Sequence, residues 1–223
     1  MTDLKPSRPS WLQQRLTNGA VLGRCLVRHP MALTTVGTLF RADATVEFSD
    51  PWWNRYAIRY LSSQLRRGDQ VFEWGSGGST AWLVAQGAQV TSIEDDPEWV
   101  VKVTDRCPEA DVRAIPAKPT GTIEERWFPS DEGPRFFDDY VSAIDEFDDG
   151  SFDIVIVDGM CRVECFQRAV PKVRPGGLIV VDDIDMEPYR PLKKSLPGWK
   201  TVTHAGFKAS QDLRETTFFH RPR

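Results

Sequence analysis

The stretch Val71-Phe72-Glu73-Trp74-Gly75-Ser76-Gly77-Gly78-Ser79-Thr80 decides how this chain is read. Apolar residues lead into Glu73, a glycine-rich turn follows, and Ser79 and Thr80 open a helix expected over 81–86. A strand that turns sharply into a helix through Gly75 and Gly77 points backbone amides outward and lets a ligand lie against the main chain. A dinucleotide fingerprint would place a third glycine where Thr80 stands, and Glu73 lies two residues before the first glycine. A carboxylate there repels a pyrophosphate and suits a ligand bearing an ammonium or a sulfonium. The competing reading is a tight strand-to-helix turn with Glu73 solvated at its edge.

Downstream, 89–93 reads as a second strand ending at Glu94, with Asp95, Asp96 and Pro97 opening another helix. Glu94 falls about twenty residues beyond the turn, the spacing at which a carboxylate meets ribose hydroxyls; Asp95 or Asp96 caps the helix. A short strand over 112–115 is closed by Pro116. Residues 117–135 are polar and rich in proline and glycine, a loop longer than a simple connection requires and expected to serve as a lid, with Trp127 and Phe128 packing it down or covering a ligand. Phe136, Phe137, Tyr140, Val141, Ile144 and Phe147 recur at helical spacing as a core face. The near-continuous apolar run 152–157 is a buried parallel strand ending at Asp158-Gly159. Val163, Phe166, Val170 and Val173 mark the next helix, which is expected to stop near Pro171 and Pro175, and 178–181 is a further buried strand ending at Asp182-Asp183. This alternation predicts an α/β fold with an open, doubly wound sheet and ligands beyond the carboxyl ends of its strands. Glu73, Glu94, Asp158, Asp182 and Asp183 all fall at those ends, and five carboxylates on one rim need hydroxyl donors, cations or a metal to offset their repulsion.

Upstream, Asp50 is expected to cap a helix that has Pro51 at its first position and Trp53, Ala57, Tyr60, Leu61 and Leu65 on its apolar face, Trp53 as a packing residue. Residues 1–49 are irregular in pattern and read as an N-terminal extension, a lid or docking segment, ahead of a single domain over 50–223. A net charge of -4 over 223 residues gives no overall grip on nucleic acid. The start of the chain lacks a signal-peptide core and the apolar stretch 31–40 is far too short to span a bilayer, so the reading is a cytoplasmic protein without an integral membrane segment. Four cysteines, Cys25, Cys107, Cys161 and Cys165, form no disulfide framework, and Cys161 and Cys165 read as core. His204, in a late strand, is a candidate general base; His29 completes no constellation with it. Arg162 is expected to pair with a rim carboxylate.

Taken together, 72–80, Ser-Ile-Glu-Asp-Asp-Pro-Glu-Trp at 92–99, Phe-Asp-Ile-Val-Ile-Val-Asp-Gly at 152–159 and Arg-Pro-Gly-Gly-Leu-Ile-Val-Val-Asp-Asp at 174–183 resemble the class I S-adenosylmethionine-dependent methyltransferases across residues 51–223. The resemblance implies a Rossmann-like seven-stranded sheet whose last two strands are 199–207 and 215–221, the final one antiparallel. It implies S-adenosylmethionine as cofactor, with Glu73, Gly75, Ser76 and Gly77 at its methionine end, Glu94 at the ribose, Ser79, Thr80 and Asp95 among the other cofactor-binding residues, and Asp158 between methyl donor and acceptor. The partner implied is a small-molecule methyl acceptor such as a sugar or secondary metabolite, methylated on oxygen; N-methylation and a non-catalytic cofactor-binding role are the alternatives, and a homo-oligomer is compatible with each. Asp158, Asp182 and Asp183 resemble the divalent-metal positions of catechol-type and sugar-type O-methyltransferases, which would make Mg2+ a second cofactor. The metal-free alternative has Asp182 and Asp183 accepting backbone hydrogen bonds in a loop.

Overall fold

The computed structural model describes residues 27, 30–32, 34, 50–128, 130–208 and 213–223. The expected extension over 1–49, with Cys25 and His29, lies almost wholly outside the described residues. In chain order the elements are α1 (Arg55–Gln64), β1 (Gln70–Trp74), α2 (Gly78–Ala85), β2 (Gln89–Glu94), α3 (Pro97–Arg106), β3 (Asp111–Ala114), α4 (Asp138–Ser142, running on as a 3-10 turn over Ala143–Glu146), β4 (Phe152–Val157), α5 (Arg162–Lys172), β5 (Val173–Val181), a second 3-10 turn (Arg190–Lys194), β6 (Lys200–Phe207) and β7 (Leu213–His220).

The strands form one seven-stranded sheet in the order β3-β2-β1-β4-β5-β7-β6. The first five are parallel, and β7 runs antiparallel between β5 and β6. Alternate residues serve opposite faces, as the pleat dictates. Phe72, Trp74, Ile179 and Val181 pack with Tyr140, Val141 and Phe166 beneath α4 and α5. Val71, Ile154, Ile156 and Val180 pack with Ala57, Leu61, Leu83 and Val103 beneath α1, α2 and α3. Both faces are covered, which is why 152–157 reads as a continuous apolar run. Among the described residues no helix is long and apolar enough to cross a membrane.

Three expectations about local structure are corrected. Asp50 and Pro51 do not open α1; the cap is Asn54, whose side chain accepts Ala57 N–H at 3.0 Å and donates to His204 O at 3.1 Å and Thr216 Oγ1 at 3.2 Å. The segment before it instead lies over the glycine turn, so close that a Cβ on Gly78 would sit 2.4 Å from Asp50 O. The helical spacing over 136–147 yields only five α-helical residues before the chain tightens to 3-10, with the start at Asp138 tied across to Thr122 N at 3.0 Å. Finally, α5 stops at Lys172, between the two prolines as expected, but Val173 opens β5 instead of belonging to the helix, so the strand begins well before 178.

Candidate active site

The carboxyl ends of β1, β2, β4 and β5 open on a cleft of about 530 Å³. Its wall includes Gly75, Ser76, Gly77 and Ser79 from the glycine turn, Glu94, Asp95 and Asp96 from the end of β2, Asp158 and Gly159 from β4, Asp183 from β5, and Lys208 just past β6. A larger cavity of about 700 Å³ lies at the other ends of the strands, lined by Asp153, Arg174 and His220 among others, and holds none of the candidate cofactor, catalytic or metal residues.

Glu73 and Thr80 stand behind the turn. Gly77 N–H donates to Thr80 Oγ1 at 2.9 Å, whose hydroxyl donates to Glu73 Oε2 at 2.6 Å, and Ser92 Oγ donates to the same oxygen at 2.9 Å. Glu73 is fully buried and its Oε1 finds no hydrogen-bond partner among the described residues. Burial pushes this carboxyl up to about 7, against the lowering effect of the Ser79, Thr80 and Ser92 hydroxyls. Glu73 therefore shapes the turn from below rather than standing solvated at its edge. The glycines divide their tasks: Gly75, at φ 91°, is needed because a Cβ would meet Gly159 N of the neighbouring strand at 2.9 Å, whereas one on Gly77 would meet nothing nearer than the Trp99 indole at 3.7 Å. Gly77 alone of the pair leaves its space to the cleft.

Glu94 is at the cleft wall, and its carboxylate gathers the loop ends. Oε2 accepts Ser76 N–H at 2.9 Å and, at a longer 3.3 Å, the Ser76 hydroxyl; Oε1 accepts Asp95 N–H at 3.0 Å and Asp96 N–H at 3.1 Å. Burial pushes Glu94, too, up to about 7. Asp96 caps α3 by accepting Glu98 N–H at 2.9 Å, and Asp95 faces Arg135 at 3.7 Å. Trp99, which closes the 92–99 stretch, sends its indole N–H to Ser76 O at 2.9 Å, so the first turn of α3 holds the glycine turn from the other side.

On the rim formed by β4 and β5, Asp158, Asp182 and Asp183 offer carboxylate oxygens within 4.8 Å of one another. Each of the six oxygens faces a hydrogen-bond donor or a side-chain cation. Asp158 Oδ2 accepts the buried Trp53 indole N–H at 2.8 Å and its Oδ1 faces Arg162 at 3.2 Å. Asp182 Oδ1 accepts the Thr216 hydroxyl at 2.6 Å and its Oδ2 accepts Lys208 Nζ at 2.5 Å. Asp183 Oδ1 accepts the same ammonium at 2.8 Å and its Oδ2 faces Arg162 at 3.4 Å. Burial would lower the Lys208 pKa, but Asp182 and Asp183 outweigh it and hold the group above its ordinary value. Burial would likewise raise Asp183, and Lys208 with Arg162 holds it below the usual carboxylate range. Among the described residues, two side-chain cations and two neutral donors approach this cluster. Among the described residues the positive-φ non-glycine residues are Asp183, at 50° on this rim, and Cys161, at 48° where the chain enters α5.

The remaining expectations separate. Arg162 pairs as anticipated and also donates to the carbonyls of Gly159, Asp158 and Asp182. His204 is not brought to the cleft: its ring packs against Tyr60 at 4.9 Å and Phe218 at 5.9 Å beneath α1, so the candidate general base is withdrawn. Cys161 and Cys165 are buried core. The loop over 117–135 carries a buried anchor, Glu125, which accepts Trp127 N–H at 2.7 Å and Cys161 N–H at 2.8 Å; Phe128 reaches the cleft wall while Trp127 stays exposed. Lys208, Trp99 and Glu125 are the site residues to which the sequence assigned no role, and Trp53, read as packing, also reaches Asp158. Their signal is a tertiary contact in each case, although an indole beside the first strand was a hint for Trp53.

No protein-family model matches the chain, and no curated protein sequence does. Solved structures do. The O-methyltransferase from Bacillus cereus in complex with SAH aligns with a TM-score of 0.56 at 14% identity, over 83% of this chain and 90% of that one. The O-methyltransferase TomG from Streptomyces achromogenes, involved in tomaymycin synthesis and solved with SAM, gives 0.56 at 18% over 83% and 90%. A cofactor-bound protein from MTB gives 0.55 at 18% over 98% and 100%. At these identities the likeness is one of fold: this chain has the Rossmann-like, seven-stranded fold of the class I methyltransferases.

Proposed function

We propose that the protein is an S-adenosylmethionine-dependent methyltransferase acting on an oxygen of a small molecule, without a metal. The observation that carries the cofactor reading is the cradle: a turn with open space at Gly77, Glu94 beside it, and a fully buried Glu73 with one unpartnered oxygen underneath. The cleft wall holds six carboxylates, Asp50, Glu94, Asp95, Asp96, Asp158 and Asp183, against two cations, Arg162 and Lys208, so a positively charged ligand is favoured there. Its volume falls in the range of small-molecule sites. When bound, the cofactor supplies a sulfonium methyl that is already activated for transfer. Glu94 would take a ribose hydroxyl in place of the long Ser76 hydroxyl contact. Asp158, fixed by Trp53 on one oxygen and Arg162 on the other, is the carboxylate set to orient an acceptor hydroxyl and draw off its proton.

A divalent ion does not fit the rim as built. Every oxygen that would ligate it is engaged by a donor, and the Lys208 ammonium sits on Asp182 and Asp183. The O-methyltransferase neighbours support oxygen as the acceptor atom. Calorimetry with S-adenosylhomocysteine tests the reading: the wild type binds, and Glu94→Ala weakens binding by about 1.5–3 kcal/mol, the scale of hydrogen bonds to a charged group. No heat with the wild type ends the methyltransferase assignment; an unchanged affinity in the variant removes Glu94 from the site.

A further inference from the structure

We propose that Lys208 is the resident cation of the Asp158, Asp182 and Asp183 cluster, its ammonium taking the place of a divalent ion and presenting its charge to the oxygen of the acceptor. Three carboxylates within 4.8 Å of one another would by themselves say little. What distinguishes this cluster is that a lysine side chain only 8% exposed reaches it from beyond β6 and lies 2.5 Å from Asp182, which is fully buried, and 2.8 Å from Asp183. An ammonium has three N–H bonds. Among the described residues two are accounted for by these carboxylates, and Lys208 also lines the cleft, which leaves the third for a ligand oxygen. Arg162, equally buried, supplies the second positive charge but points its N–H groups at Asp158, Asp183 and three carbonyls, so it fixes the rim rather than facing a ligand.

The physical difference from a metal site is one of valence and reach. A magnesium ion gathers oxygens at about 2.0–2.1 Å in an octahedron and can hold two oxygens of one ligand at once. A lysine with one N–H to spare makes one hydrogen bond. On the reading given under Proposed function, with which this part stands or falls, the acceptor is therefore engaged through a single oxygen and need not carry a vicinal diol. Entry of a divalent ion would require expelling an ammonium that two carboxylates already neutralise, so the cluster resists the ion that its three acids would otherwise attract.

Manganese binding, followed by the loss of the free-ion paramagnetic resonance signal, tests the assignment without any turnover. Wild-type protein is expected to bind no Mn2+ at millimolar concentration. Lys208→Ala and Lys208→Met, checked for native circular dichroism, are expected to bind it more than about 100-fold more tightly than wild type, as removal of a unit charge at close range implies; Lys208→Arg is expected to behave as wild type. Tight binding by the wild type that disappears in Asp182→Asn overturns the proposal, as does a folded Lys208→Ala or Lys208→Met that gains no site. Should neither neutral variant fold, the wild-type titration decides alone. S-adenosylhomocysteine binding is measured separately, so its failure would strike the methyltransferase reading and leave the cation assignment standing.

Discussion

The two halves of the cleft satisfy buried carboxylates in opposite ways. At the glycine turn, Glu73 and Glu94 are held by hydroxyls and backbone amides at 2.6–3.3 Å, and among the described residues no cation pairs with either. On the opposite rim, Asp158, Asp182 and Asp183 are held by Arg162 and Lys208. Neutral donors do not cancel a carboxylate's charge as a paired cation does, so once pH exceeds about 7 the first half carries a negative field that a sulfonium or ammonium can use. Side-chain cations cancel it, so the second half offers fixed geometry and a positive donor, which suits an acceptor oxygen. On the proposed function, the same residue types at the ends of adjacent strands would be divided between donor and acceptor duties by their partners.

Breaking the rim should have the largest effect. Asp158→Asn keeps the side chain's shape but removes one of three negative charges facing two positive ones, and it turns an amide N–H2 toward either the Trp53 indole or Arg162. Turnover is expected to fall by about 10²–10⁴-fold, the range for loss of a positioned general base, with the far-ultraviolet circular dichroism unchanged. Single-turnover methyl transfer measures this, and a fully active variant would show that Asp158 is only a strut for Trp53.

The neutral-donor half is probed by pH. Glu73 has its folded value near 7 against an ordinary 4.5, so the native state holds that proton more tightly than the unfolded chain does. Such a group contributes stability that is fully present below about 4.5 and is lost as pH rises through about 7. In Glu73→Gln this contribution disappears, and the fall in unfolding free energy between pH 5 and pH 8 should shrink by up to about 3 kcal/mol. Urea titrations at both pH values give the comparison. An undiminished fall would mean that Glu73 stays ionised and that the unpartnered Oε1 has a donor of its own.

The sequence carried most of the first half and little of the second. Strand ends, the glycine turn and Glu94 are local features: period, turn chemistry and spacing report them directly. The acids at 158, 182 and 183 were visible for the same reason. Their partners were not, because Lys208 arrives from a strand added on the far side of the sheet, and Trp53 arrives from a segment that Asp50-Pro51 made look like a helix start. His204 shows the converse failure. A histidine in a late strand is chemically eligible as a base, yet strand alternation turns its ring to the α1 face, away from the carboxyl-end rim.

The smallest expected effect lies where the two halves of the cradle meet. Trp99 holds Ser76 O through its indole N–H at 2.9 Å, and its ring forms the nearest wall to the space at Gly77. Trp99→Phe keeps the ring face and deletes the one donor, leaving a partly buried carbonyl to find another. The loss should be about 0.5–1.5 kcal/mol of S-adenosylhomocysteine affinity, the net worth of a neutral hydrogen bond. If affinity does not move, the turn is held by the Gly77–Thr80–Glu73 relay and by Glu94 alone, and α3 is merely adjacent. If it falls more than about 100-fold, well beyond one hydrogen bond, the indole itself contacts the ligand, and the cradle owes part of its grip to an aromatic surface rather than to carboxylates held by neutral donors.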